Sequence, residues 1–203
     1  MTVGVEEEYL LLDDESGYPV PRGEQVRTAA GMTPAVVAAE VESELLQAQV
    51  EVSTPVCGGL DEVGGHLRRL RRAVSTAAAD CGCRVAACGA APLLRPVPVT
   101  DQPRYQAMFK AAPRLVDEQL INGMHVHVAV PDRESAVAAL NRLRRWLPAL
   151  VALSANSPSG TAPRRVRQLA DGGVRPVAGE RPPPAFTDAA DYRRRTRTCS
   201  TPG

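Results

Sequence analysis

Residues 2–12, TVGVEEEYLLL, alternate in character: Val3 and Val5, with Glu7 in step, fall on one side of an extended chain, and Gly4, Glu6 and Glu8 on the other. A period of two marks a strand whose two faces differ. Glu6 and Glu8 therefore leave the same face, and two carboxylates so placed repel unless a cation lies between them or one keeps its proton. Mg²⁺ suits such a place, because it takes one or two carboxylates and fills its other positions with water and phosphate oxygens. Taken alone, Glu6-Glu7-Glu8 reads more simply as an exposed strand face.

Working outward, residues 44–54, ELLQAQVEVST, alternate again at their end, with Val50 and Val52 against Gln49, Glu51 and Ser53, before Pro55 closes the run. Residues 121–130, INGMHVHVAV, send Met124, Val126, Val128 and Val130 one way and His125 and His127 the other. His-x-His on a strand is a metal-ligand spacing, yet a single instance is more often incidental. With Glu6, Glu8, Glu51, His125 and His127 all on polar faces opposite apolar ones, one antiparallel sheet presenting a charged concave surface is expected.

Residues 59–80 repeat Leu60, Val63, Leu67, Leu70, Val74 and Ala77 at threes and fours, a helix with one apolar stripe. Arg68, Arg69, Arg71 and Arg72 read as its solvated face. Gly64-Gly65 should weaken it by about 1 kcal/mol each relative to alanine. A short strand is expected at 84–88 and a helix at 104–120. Asp132 caps a further helix whose buried stripe is Val137, Leu140, Leu143, Leu147, Leu150 and Val151. Beyond Pro158 periodicity is lost, and residues 159–203, rich in Pro, Gly and Arg, read as an irregular tail.

The 203 residues carry a net charge of +1, which gives no pull toward nucleic acid or an anionic membrane surface. The acidic start lacks the basic and apolar runs of a signal peptide, and the apolar stretch Leu147–Leu153 is short and broken by Pro148, so a cytoplasmic protein is expected. Five cysteines without paired spacing argue against a disulfide framework. Cys81, Cys83 and Cys88 could offer three soft metal ligands, but no second cluster completes the set.

Several motifs are long enough to carry a family resemblance: Gly4–Leu11 (GVEEEYLL), Glu44–Pro55 (ELLQAQVEVSTP), Asn122–Val128 (NGMHVHV), Pro131-Asp132-Arg133, Leu140–Arg142 and Leu153–Pro158 (LSANSP). In order and spacing over residues 3–158 they resemble the N-terminal half of the glutamate–cysteine ligase type 2, or carboxylate–amine ligase, family. The resemblance implies an α+β fold like that of glutamine synthetase, a curved antiparallel sheet with helices on one face, incomplete in this chain. It implies an ATP-dependent ligase that joins glutamate to cysteine, or to another amine, through an acyl phosphate, with Mg²⁺ as metal. Glu6, Glu8, Glu51 and His125 match catalytic positions. Glu6, Glu8, Glu51 and, more weakly, Glu44 match metal carboxylates, and His125 with His127 match the nucleotide side. A homo-oligomer is one assembly open to such a protein.

Two departures stand out. Gly89-Ala90-Ala91-Pro92 replaces the family's Gly-Thr-His-Pro, and residues 159–181 lose the resemblance before Pro182–Tyr192 regains it, as shifts of reading frame would produce. On that reading residues 1–158 are the N-terminal part of the catalytic domain and 159–203 a tail. An inactive fragment that keeps Mg–ATP or partner binding is the alternative function. Uncovered apolar faces are expected on the helices at 59–80 and 132–153.

Overall fold

Strand β1 (Val3–Leu12) is the axis of the fold in a computed structural model that describes residues 1–113, 116, 120–154 and 185–199. Along one side it pairs with β3 (Gln49–Ser53), which sets Glu8 opposite Glu51 and Tyr9 opposite Val50. Its other side is shared between two strands. The first half pairs with β5 (Met124–Val128), setting Glu6 opposite His125, and the last residues pair with β4 (Arg84–Ala86). β2 (Val41–Ser43) joins outside β3, and all four pairings of this five-stranded sheet are antiparallel.

Two helices cover one face. Tyr9, Leu11, Val50 and Val52 meet Val26 and Ala30 of α1 (Gly23–Gly31) and Leu70, Val74 and Ala77 of α2 (Leu60–Asp80) in one buried cluster. The alternation of β1 and the stripe of α2 thus find each other, as their periods require. α1 begins where a side chain cannot fit: a Cβ on Gly23 would lie 2.9 Å from the carbonyl oxygens of both Gln47 and Gln49. α2 stops at Gly82, whose φ of +69° is the left-handed conformation glycine adopts without steric cost.

On the opposite face a second cluster gathers Leu10 and Leu12 with Leu45, Leu46, Val116, Leu120 and Tyr105 of α3 (Pro103–Ala111). The end of β1 is therefore buried on both faces, which is why its sequence passes from EEE to YLLL. The helix expected over 104–120 ends at Ala111, and residues 114–115 and 117–119 lie outside the described residues.

The α+β class and antiparallel sheet follow expectation, whereas the helices do not all lie on one face, since α3 packs on the side opposite α1 and α2, and the uncovered faces are distributed differently. Leu70 and Val74 of α2 are fully buried, because the sheet lies against them. Leu60, the first residue of that helix, is exposed. The second expected stripe is exposed almost throughout. Asp132 does cap α4 (Arg133–Leu143), accepting the Ser135 N–H at 2.7 Å. Yet of the stripe on α4 and α5 (Leu147–Ser154) only Val137 is buried, while Leu140, Leu143, Leu147, Leu150 and Val151 are exposed. Met124, Val126 and Val128 on the helix side of β5 are likewise exposed.

The expected irregular tail contains a helix, α6 (Ala189–Cys199). Asp188 accepts the Asp191 N–H at 2.6 Å, an N-cap that composition alone obscured, and Asp191 pairs with Arg194 and Arg195 one turn on. The segment docks on α4, where Asn141 both donates to and accepts from the Phe186 backbone. Residues 155–184 and 200–203, including most of the expected tail, lie outside the described residues. Among the described residues no helix is long and apolar enough to cross a membrane.

Candidate active site

The open half of the sheet, beyond the Leu10 cluster, carries the polar side chains. β1 contributes Glu6 and Glu8, β3 contributes Glu51, and β5 contributes His125 and His127. The pairings Glu8↔Glu51 and Glu6↔His125 make them neighbours across the strands. The carboxylates do not form the single pair that the spacing of Glu6 and Glu8 suggested. They divide into two clusters, each with ligand atoms within 4.8 Å of one another: Glu8, Glu44 and Glu51 in one, and Glu6, His125 and His127 in the other.

Glu6 is held by two imidazoles, His125 Nδ1 at 2.9 Å and His127 Nε2 at 3.1 Å from the same carboxylate oxygen. These hydrogen bonds, His125's first, keep its pKa below the usual carboxylate range despite some desolvation. Its carboxylate in turn raises the pKa of His125. A carboxylate–imidazole pair of this kind holds charge separation ready on an accessible surface.

The second cluster is electrostatically unfinished. Burial, and then the negative charges of Glu44, Glu6, Glu8 and Glu42, push Glu51 up to about 7. Glu8 is also raised, chiefly by burial and next by Glu44, although the Gly123 N–H donates to it at 2.9 Å. None of the three has a salt-bridge partner among the described residues. Three half-buried carboxylates, with Glu8 and Glu51 raised and none of the three salt-bridged among the described residues, fit a hard divalent ion such as Mg²⁺.

Alternation along a regular strand would turn Glu44 away from Glu51. Glu44 in fact lies in the connection between β2 and β3, where strand alternation does not apply, and it reaches the cluster from the loop. The polar side chains that support this cluster were not legible in sequence. Gln49, 2% exposed, donates to the Ile121 carbonyl at 2.7 Å and to Asn122 at 2.8 Å, while Asn122 donates to the Cys88 carbonyl at 3.2 Å. These bonds fix the turn that presents the Gly123 N–H to Glu8. Tyr105 donates to the Ser43 carbonyl at 3.1 Å beside Glu44, and Arg104 donates to the Tyr105 hydroxyl at 2.6 Å. Burial, with Glu44 next, pushes the Tyr105 phenol up to about 12, so it remains a donor. A signal for these polar residues existed only in their flanking apolar runs.

Glu7 keeps step with Val3 and Val5 as expected, so what needs correction is the simpler reading of Glu6-Glu7-Glu8 as an exposed strand face, together with the arginine run. Glu7 points to the helix side and is buried, where Arg71 Nε donates to it at 2.9 Å and a second guanidinium nitrogen and the Tyr9 hydroxyl complete its shell. Arg69 likewise clasps Glu40, at 2.6 and 2.8 Å. Of the arginines read as a solvated face, these two are structural partners of buried carboxylates, because α2 turns them toward the strands.

The model of the family described as glutamate-cysteine ligase family 2 matches residues 2–203, including 159–181, where the motifs lose the resemblance. A Saccharopolyspora erythraea protein whose name provisionally assigns it as glutamate–cysteine ligase 2-1 is 40% identical over 200 residues, covering 95% of this chain and 50% of that protein. A similarly named protein of a Mycobacterium species (strain KMS), ligase 2-2, is 42% identical over 198 residues, covering 94% of this chain and 52% of its own length. The chain thus spans about half the length of the curated relatives it matches. Among solved structures, a bifunctional glutathione synthetase from Pasteurella multocida shares the fold, with a TM-score of 0.61 at 15% identity over 80% of this chain and 25% of that one.

Proposed function

We propose, for a chain that belongs to glutamate-cysteine ligase family 2, that the open face of the sheet is the phosphoryl-transfer half of an ATP-dependent carboxylate–amine ligase. The observation that carries this reading is the Glu8–Glu44–Glu51 cluster, three carboxylates with ligand atoms within 4.8 Å and no salt-bridge partner among the described residues, on the same sheet face as the Glu6–His125–His127 group.

Glu8, Glu44 and Glu51 would hold Mg²⁺, with Glu6 at the margin between the two clusters. When bound, Mg²⁺ neutralises phosphate charge and aligns the attacking oxygen. The chain's own residues do the remaining work. His125, its proton held by Glu6, presents a positive charge toward the phosphates of ATP, with His127 beside it. The substrate glutamate's γ-carboxylate attacks the terminal phosphorus, ADP leaves, and the acyl phosphate that results gives its acyl group to the amine of cysteine with release of phosphate. The Gln49–Asn122 bonds keep the Gly123 N–H on Glu8, so this carboxylate cannot swing away as charge builds. Protection of the acyl phosphate from water requires cover over the face. Cysteine as the amine, and a cytoplasmic setting, rest on the family reading alone.

The test is ADP release from the chain with Mg²⁺ and ATP. Release that depends on both glutamate and cysteine, and that falls by at least about a hundredfold in Glu51→Gln, is the expected result. Stabilisation by Mg–ATP without turnover would mean that the chain keeps the nucleotide site but not the ligation. Neither stabilisation nor release would overturn the reading.

A further inference from the structure

On the helix side of the sheet, at the start of α2, Cys57, Glu62 and His66 bring one ligand atom each within 4.8 Å of the others. We propose that these three residues form a second metal site, separate from the carboxylate face, that takes a cation of the zinc class. Thiolate, carboxylate and imidazole are the donors of Zn²⁺, whereas Mg²⁺ takes oxygen and does not select sulfur. The donor set thus distinguishes this site from the all-oxygen cluster on the other face.

The geometry is built from two rigid pieces. Glu62 and His66 are four apart on α2 and so share one side of the helix. Cys57 is pinned from the segment after β3: its N–H donates to the Val3 carbonyl at 2.8 Å and its carbonyl accepts from the Val3 N–H at 2.9 Å. Its side chain is fully buried against Val5 and Val63, with the Pro55 carbonyl at 3.1 Å as its present partner. Glu62 now accepts the Gly58 N–H at 2.7 Å, and His66 Nδ1 lies 2.9 Å from Arg69, whose charge is already matched by Glu40. Tetrahedral coordination would draw the three ligand atoms to about 3.5 Å from one another and leave a fourth position for water. Because the segment that carries Cys57 follows directly from the strand bearing Glu51, an ion here would tie the rear of that strand to α2. Binding would release the thiol proton and raise the stability of the fold.

Titration of the full chain with Co²⁺ tests the site without reference to ligase activity. A near-ultraviolet thiolate-to-cobalt charge-transfer band is expected, saturating at one equivalent in the presence of excess Mg²⁺ and bleached by Zn²⁺. The band should vanish in Cys57→Ser and in His66→Ala, a partly exposed position whose variant should fold, and persist in Glu8→Gln and Cys83→Ser. No band, or a band that survives both Cys57→Ser and His66→Ala, would overturn the site and leave Cys57 a buried thiol beside a helix-capping glutamate.

Discussion

Glu7 and Glu8 are adjacent on β1 and lie on opposite faces of one sheet, and their surroundings could hardly differ more. Behind the sheet, burial alone would raise the pKa of Glu7, but Arg71 and the Tyr9 hydroxyl outweigh it and hold the carboxyl below its ordinary value. In front, Glu8 is raised by burial and by Glu44, and Glu51 opposite it is pushed up to about 7. The rear face has the counter-charges its carboxylates need. In front, Glu8 and Glu51 have burial and repulsion where Glu6 has two imidazoles. The contrast separates a carboxylate matched by an arginine from one without a salt-bridge partner among the described residues, where the local sequence, three glutamates in a row, does not.

The largest effect that could break this contrast is expected at Arg71. Arg71→Met leaves Glu7 buried without its partner and should cost about 2–3 kcal/mol in a urea titration, less than for a fully buried pair because the Arg71 side chain is 53% exposed. A loss no greater than that of an ordinary surface substitution would mean that Glu7 is solvated after all.

The front face should respond with the opposite sign. The folded pKa of Glu51 lies above its unfolded value, so the folded state favours the proton, and the stability it contributes is present below about pH 4.5 and lost as pH rises through about 7. Glu7 runs the other way: its folded pKa is lowered, so its contribution is present above the unfolded value and lost as pH falls. In metal-free buffer at pH 8, Glu51→Gln should therefore stabilise the chain by about 1 kcal/mol, a gain that vanishes near pH 4. Added Mg²⁺ should raise the melting temperature of the parent and not of the variant. Destabilisation by Glu51→Gln in the absence of metal would show that the cluster is a structural network.

The smallest effect distinguishes the two histidines. His127 lies farther from Glu6 than His125, and both side chains are more than half exposed. His127→Ala should change stability by less than about 0.5 kcal/mol, and by less than His125→Ala does. Proton NMR titration should show the His125 pKa above the ordinary imidazole value in the parent and returned toward it in Glu6→Gln.

Much of this was legible in the chain. The period of two at Val3–Glu8 and Val50–Ser53, and the His-x-His of β5, assigned every strand side chain of the site to its face, because alternation is a property of the extended backbone itself. The stripe of α2 was readable for the same kind of reason. The stripe of α4 and α5 was readable as apolar but not as exposed, since periodicity states which side of a helix is apolar and not whether anything lies against it. The N-cap of α6 was hidden by a composition that suggests irregular chain, although Asp188 and Asp191 stand in it.

By itself, then, the sequence determined β1, β3, β4 and β5 but not β2, along with the polar and apolar faces of β1, β3 and β5, the family, and the set of residues from which the site is drawn. Only the tertiary structure decided how those residues combine: that Glu44 joins Glu8 and Glu51 from a loop, that Glu6 belongs with the histidines, and that Glu7 is matched by an arginine 64 positions away. The reason is one of range. Facing is set by dihedral angles repeated from one residue to the next, whereas charge pairing is set by separations of a few ångströms between elements distant in the chain, and no local pattern carries that information.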